Sequence, residues 1–445
     1  MKTITILFKL ALLLLLLNCS RFLEEKSDSS LATPETLADN QALLDRYGAL
    51  GSNATGGEIS SDDIYVTDAD FNTIPYEAQK RLYTWQPTYV SLSTGSDWES
   101  CYGRINIFNT VLFNLKQYQI GDSDNVEGQA LVLRASVYLE AVSLWGVAYD
   151  SRTAASHLGL PLRLDPDMNV PSVRSTLQET YAQILADLHR AVPLLPTTQL
   201  AVSRPSKVTA LGYLARTYLY MGDYAKALQY GQEALSHYNT LLDFNTLNPT
   251  ASYPIKDRNA EVLLPTSMAY SPFLATAKAK ITESFYQSYD PNDLRKKLYF
   301  KILANGEILF KGNYSGSSGR MTCLATDELY LTVAEAQAYL DDPTGAMLTL
   351  NQLLSKRWKT GTFIPLTAST SAEALELVRT ERQKEILFRG LRWADLKRYN
   401  REGANITLTK TINGQVFTLP PNDLRYAIAI PEDIIAMTGM AQNPR

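Results

Sequence analysis

Glu381 and Glu385 stand four residues apart, on one face of any helix that holds them, with Arg382 between. Two facing carboxylates are all that glycoside hydrolysis requires of a chain, so the pair is the first candidate for acid–base chemistry. The competing reading is structural: Arg382, Arg392 and Arg398 interleave with these carboxylates, which favours an ion-pair network. Asp68, Asp70 and Asn72 alternate as calcium-loop oxygens do. Thr73 stands where that loop needs Gly, however, and Gln79 where it needs Glu, so the three are read as turn caps. His157, His189 and His237 have no metal-ligand spacing, and the chain lacks GxSxG, GxxxxGK[ST], HExxH and CxxC. We assign no catalytic residue, no metal and no cofactor. A glycoside hydrolase remains the enzymatic alternative, because two carboxylates need no motif.

The chemistry that stands out is recognition. Tyr occurs 26 times against 13 Phe, and a phenol offers an apolar face with a polar tip. Sugars present C–H faces to such rings and hydroxyls to Asp, Asn and Gln. The irregular, aromatic stretches 45–95 and 241–325 are where such contacts belong, since rigid scaffolds hold loops and loops bind. From these stretches Tyr65, Phe71, Trp85, Tyr89, Tyr289 and Tyr314 are the candidate ligand contacts. No residue separates an oligosaccharide from a peptide as cargo. A net charge of −4, with no block of Lys or Arg, excludes electrostatic capture of nucleic acid.

The elements that must position these rings are helical. From Pro205 to Leu235, Ala210, Leu211, Leu214, Ala215, Tyr218 and Leu219 form one apolar stripe, and Ala227, Leu228, Gly231, Ala234 and Leu235 form a second. Gly222 breaks the chain between them. The pattern LARTYLYMGDYAKAL resembles a tetratricopeptide repeat, whose helical hairpins bury their apolar faces only by stacking. Leu329, Val333, Ala336 and Leu340, then Met347, Leu350, Leu353 and Leu354, mark another hairpin. Ser96–Glu99, Thr176–Glu179 and Thr370–Glu373 are capping boxes that open helices. Trp98 lies on an apolar stripe and is read as core. Asn305-Gly306 signals a β-hairpin, and Gly312–Gly319 reads as a mobile loop. The expected fold is mainly α: about four tetratricopeptide-like pairs, mainly at 97–240 and 326–400, with irregular loops and a small β-hairpin on the ligand-facing side.

Lys2 and Lys9 precede an apolar run through Leu17, which reads as a secretory signal over 1–18, too short to span a membrane. Cys19 directly after it resembles the acylated Cys of a bacterial lipoprotein, although Asn18 departs from the small residue usual there. Cys101 and Cys323 lie far apart in sequence; a secretory route permits a disulfide between them, and two buried thiols are the default reading.

Several stretches together resemble one family. CSRFLEEKSDSSLATPETLADNQALLD, GLPL, TLQETYAQILADLHRAVPLLP, RPSKVTALGYLARTYLYMGDYAKAL, ATDELYLTVAEAQAYLDDPTGAMLTLNQLLSKR and RTERQKEILFRGLRWADLKRYN are similar, in order and spacing, to the SusD/RagB nutrient-binding outer-membrane lipoproteins of Bacteroidetes. The resemblance implies one SusD-like domain over 19–445, lipid-anchored at the outer membrane and facing the exterior. It further implies a SusC-like TonB-dependent transporter as partner and an oligosaccharide or peptide as cargo. A helical-repeat scaffold that binds only a protein partner is the alternative.

Overall fold

The structure, a computed structural model, describes residues 34–47, 51–88 and 95–445. The expected signal segment 1–18, the candidate lipidation site Cys19 and the candidate contact Tyr89 lie outside the described residues. Eight helices build the scaffold: α1 (Asp97–Gln117), α2 (Asp124–Trp145), α3 (Leu177–Leu194), α4 (Lys207–Met221), α5 (Tyr224–His237), α6 (Thr326–Tyr339), α7 (Pro343–Leu354) and α8 (Ser371–Glu385). Each packs on its neighbour in this order. A shorter helix, α9 (Arg392–Arg401), closes the stack against α2 and α4.

The caps follow the sequence. Thr176 and Glu179 close a reciprocal capping box at α3, and Thr370 and Glu373 do so at α8. At α1, Ser96 accepts from the Glu99 N–H at 3.1 Å, but the Glu99 carboxylate turns to the Gly95 N–H instead. Gly222 ends α4 at φ 79°, a left-handed conformation that a Cβ disfavours. A Cβ on Gly231 would stand 2.7 Å from Val333 Cγ2, so the α5–α6 approach requires glycine there.

Helix α2 is buried on every side. Its one long cation, Arg134, pairs with Asp187 of α3 at 2.8 and 2.7 Å and donates to Asn109 of α1 at 2.9 Å, tying three helices through one side chain. Trp98 is core as expected, stacked on Tyr102 and edge-on to Trp145. Cys101 and Cys323 are buried free thiols.

Sheet is sparse. Phe300–Ile302 pairs antiparallel with Ile308–Phe310 across the foreseen Asn305-Gly306 turn, and Lys280–Ile281 adds a third strand. A second hairpin, Leu408–Ile412 with Gln415–Leu419, turns on Asn413-Gly414, both at positive φ, as a tight two-residue turn requires. The Gly312–Gly319 loop is stitched rather than loose. The Ser315 hydroxyl donates to the Ser317 and Gly319 carbonyls, the Gly316 N–H to Ile255, and Tyr314 lies in the core.

Candidate functional site

Two loop segments some two hundred residues apart in sequence fold against each other on one side of the scaffold. Ser52–Asn53 runs parallel to Ser267–Met268, and Tyr65 exchanges backbone hydrogen bonds with Lys280, 2.9 Å each way. Beneath them Phe71, Tyr83 and Phe273 form an aromatic triad, with Tyr83 and Phe273 centroids 4.7 Å apart. Each such ring pair adds about 0.5–1.5 kcal/mol beyond its buried area, so the floor of this face is well fixed.

On that floor stand two exposed rings. Tyr76 precedes the short helix Glu77–Tyr83 and is 54% exposed; Tyr270 follows the Ser267–Met268 strand and is 84% exposed. The Ser271 hydroxyl donates to Gln79 Oε1 at 3.0 Å, which joins the two ring-bearing turns. Exposed phenols beside a paired hydroxyl and amide can stack on an apolar ligand face and bond its polar edge.

Three of the six rings singled out from sequence take another role. Trp85 is 4% exposed, sits at φ 52°, and gives its indole N–H to the Ser60 carbonyl at 2.9 Å. The Lys410 ammonium covers Tyr83 and Trp85, 3.7 and 4.8 Å from their centroids. Burial takes Lys410 well below the usual ammonium range, against the pull of Asp62 and Glu58. Tyr289 and Tyr314, 1% and 2% exposed, give their hydroxyls to the Lys384 carbonyl (2.9 Å) and the Glu261 carboxylate (2.6 Å). These three rings are frame, because a buried ring has no face left for a ligand. Tyr65 and Phe71 are only partly buried; Phe71 is itself a member of the triad, and Tyr65 lies on the backbone bridge to Lys280. Tyr76 and Tyr270 were not selected from sequence.

The Asp68–Asn72 stretch is a helical turn whose polar groups are already engaged. Thr67 caps it, Asp70 pairs with Lys280, and Asp68 accepts the Asn413 N–H at 2.8 Å.

Behind the face lies a seam of buried ion pairs. Arg295, without exposed surface, bonds Asp293, Glu381 and Glu385, at 3.0 Å to the last. Arg357 joins Glu385 and Glu261 at 2.7 Å each and stacks 4.1 Å from the Phe244 centroid. Burial alone would raise the Glu381 carboxyl, but Arg295 and Lys384 hold it below the usual carboxylate range. Glu381 and Glu385 are thus committed to guanidinium partners, and Arg382, Arg392 and Arg398 pair with Asp395, Asp62 and Glu335. The network read from sequence is what forms.

The segment that leads into the face is held by carboxylates in low-dielectric surroundings. Asp97 accepts the Thr55 and Gly56 N–H groups at 3.0 and 2.8 Å, and burial still pushes it up to about 6. Burial pushes Glu58 up to about 7 against Arg320 and the Gly390 N–H, and its Oε1 has no hydrogen-bond partner among the described residues.

Comparison with known proteins fits this architecture. A family model described as starch-binding and associating with the outer membrane matches residues 21–219, and a second, described as the SusD family, matches 311–436. The chain belongs to the SusD/RagB family. SusD-like protein P2 of Formosa agariphila is 29% identical over 253 residues, which cover 53% of this chain and 47% of that protein; the match thus spans about half of that relative's length. A SusD superfamily protein of Bacteroides thetaiotaomicron superposes with a TM-score of 0.74 at 21% identity, covering 92% of this chain and 100% of that one. A SusD-like carbohydrate binding protein of Bacteroides vulgatus gives 0.68 at 19% identity, covering 91% and 97%. At these identities the solved structures speak for the fold, which is the expected one: mainly helical with small sheets.

Proposed function

We propose that this chain is a nutrient-binding lipoprotein of the outer membrane, anchored through Cys19 and facing the exterior. There it captures an oligosaccharide and hands it to a SusC-like TonB-dependent transporter. The observation that carries the reading is the joined pair of turns that exposes Tyr76 and Tyr270 beside Ser271 and Gln79. The family description, starch-binding and associating with the outer membrane, supports carbohydrate as the cargo class and the membrane as the place. Tyr65 and Phe71 flank the proposed contact, and Tyr89 remains a proposed contact. Trp85, Tyr289 and Tyr314 act by holding the face in shape.

The reading is of a binder without catalysis. The carboxylate pair that suggested hydrolysis is bound to Arg295, which removes both the free base and the proton-bearing acid that the reaction needs. Calorimetric titration of the full chain with glycan pools tests the proposal, with peptide pools in parallel. Saturable binding of one glycan class supports it; binding of peptides alone replaces the cargo, and release of reducing ends replaces the binder with an enzyme.

A further inference from the structure

A separate cleft of about 340 Å³ opens where the chain leaves α2, between residues 147–157, α9 and the 422–426 turn. That volume lies at the lower end of the ~300–1,000 Å³ typical of small-molecule sites. None of its lining residues belongs to the Tyr76–Tyr270 face.

The charges in its wall do not balance. Arg152, Lys397 and Arg401 face Asp150 and Asp423. Arg152 pairs with Asp150, Arg401 with Glu402, and Asp423 with Arg425. Lys397 has no carboxylate partner among the described residues. Its ammonium donates to the carbonyls of Ser143 and Gly146, 2.6 and 2.7 Å away, at the C-terminal end of α2. An ammonium carries three donors, so one N–H remains. Burial, with no opposing carboxylate, takes this group down to about 7. The His157 ring, also in the wall, has no hydrogen-bond partner among the described residues. Val147, Ala148 and Leu424 supply the apolar remainder.

We infer that this cleft is a second binding site, for a small hydroxylated carboxylate of monosaccharide size such as a uronic acid. The carboxylate meets Lys397 and His157, and the hydroxyls meet Asp150 and Asp423. A carboxylate here supplies the counter-charge that the buried ammonium lacks, which a neutral sugar does not. The inference does not rest on the reading of the Tyr76–Tyr270 face.

Titration of the full chain with glucuronate, glucose and acetate tests it. Glucuronate should bind one to one, with glucose and acetate at least tenfold weaker. Lys397→Met should weaken glucuronate tenfold or more. Because Lys397 also caps α2, the His157→Ala variant is the second probe: it should lose affinity at an unchanged Tm. Tyr270→Ala should leave glucuronate affinity as it was. Absence of saturation, glucose binding as tightly as glucuronate, full affinity in His157→Ala, or loss of affinity in Tyr270→Ala would each overturn the assignment.

Discussion

Tyr270-Ser271-Pro272 and Tyr289-Asp290-Pro291 are the same local pattern, a tyrosine two residues before a proline in the same loop segment, and they meet opposite fates. Tyr270 stands 84% exposed on the outer face, while Tyr289 is 1% exposed, edge-on to Phe300 and Phe285 with its hydroxyl on the Lys384 carbonyl. The difference is not local. Tyr289 is covered because Arg295, six residues on, reaches Glu381 and Glu385 on α8 and pulls this part of the loop layer onto the scaffold. Tyr270 has no such tether; the strand beside it pairs with Ser52–Asn53, and its ring is left outside. The loop layer therefore has two levels, a seam that carries stability and a rim that is free to bind.

The comparison breaks most visibly at the seam. Arg295→Ala leaves Asp293 without an ion-pair partner and takes one from Glu381 and from Glu385, which keep Lys384 and Arg357; loss of one partner of a buried pair costs about 3–5 kcal/mol, and a denaturant melt should show a loss of that size. Tyr289→Phe keeps the ring and removes only the hydroxyl, so the expected loss is about 0.5–1.5 kcal/mol.

The Glu58 carboxyl gives a pH readout between these levels. Burial raises it to about 7 in the folded chain, against ~4.3 for a free glutamate. The folded state keeps a proton over that window which the unfolded state has released, so this group's stabilisation is full below about pH 4 and is lost as pH rises through about 7. Glu58→Gln removes the dependence. Its Tm relative to the wild type should rise between about pH 4.5 and pH 7.5, and a constant difference would refute the assignment.

The smallest effect on folding belongs to the rim. Tyr270→Ala should shift stability by less than about 0.5 kcal/mol, as surface substitutions do. The same change should weaken glycan binding by up to about tenfold, since a stacked ring is worth about 0.5–1.5 kcal/mol by analogy with aromatic pairs.

The scaffold was legible because it is written in local periodicity. The stripe at Ala210–Leu219, the turn at Gly222 and the second stripe from Ala227 give α4, its end and α5, and the stripe from Leu329 gives α6. The Asn305-Gly306 hairpin was read from its turn, yet Asn413-Gly414 carries the same signal and was passed over. The candidate face was legible only as two irregular regions. That 45–95 and 241–325 carry the loop layer could be read from composition, but which rings face out depends on ion pairs that span nearly a hundred residues. Trp85 illustrates the limit: an aromatic in an acidic loop reads as a contact, whereas Lys410, from a hairpin over three hundred residues away, covers its ring.

The central claim is that the rim binds while the seam holds. Its most direct test is the Tyr76→Ala/Tyr270→Ala double variant, titrated with the glycan that binds the wild-type chain while its melting temperature is followed. The account predicts that affinity falls at least tenfold and that the melting temperature stays within about 2 °C, the scale expected of surface changes in a chain of this size. Wild-type affinity in that variant would contradict it.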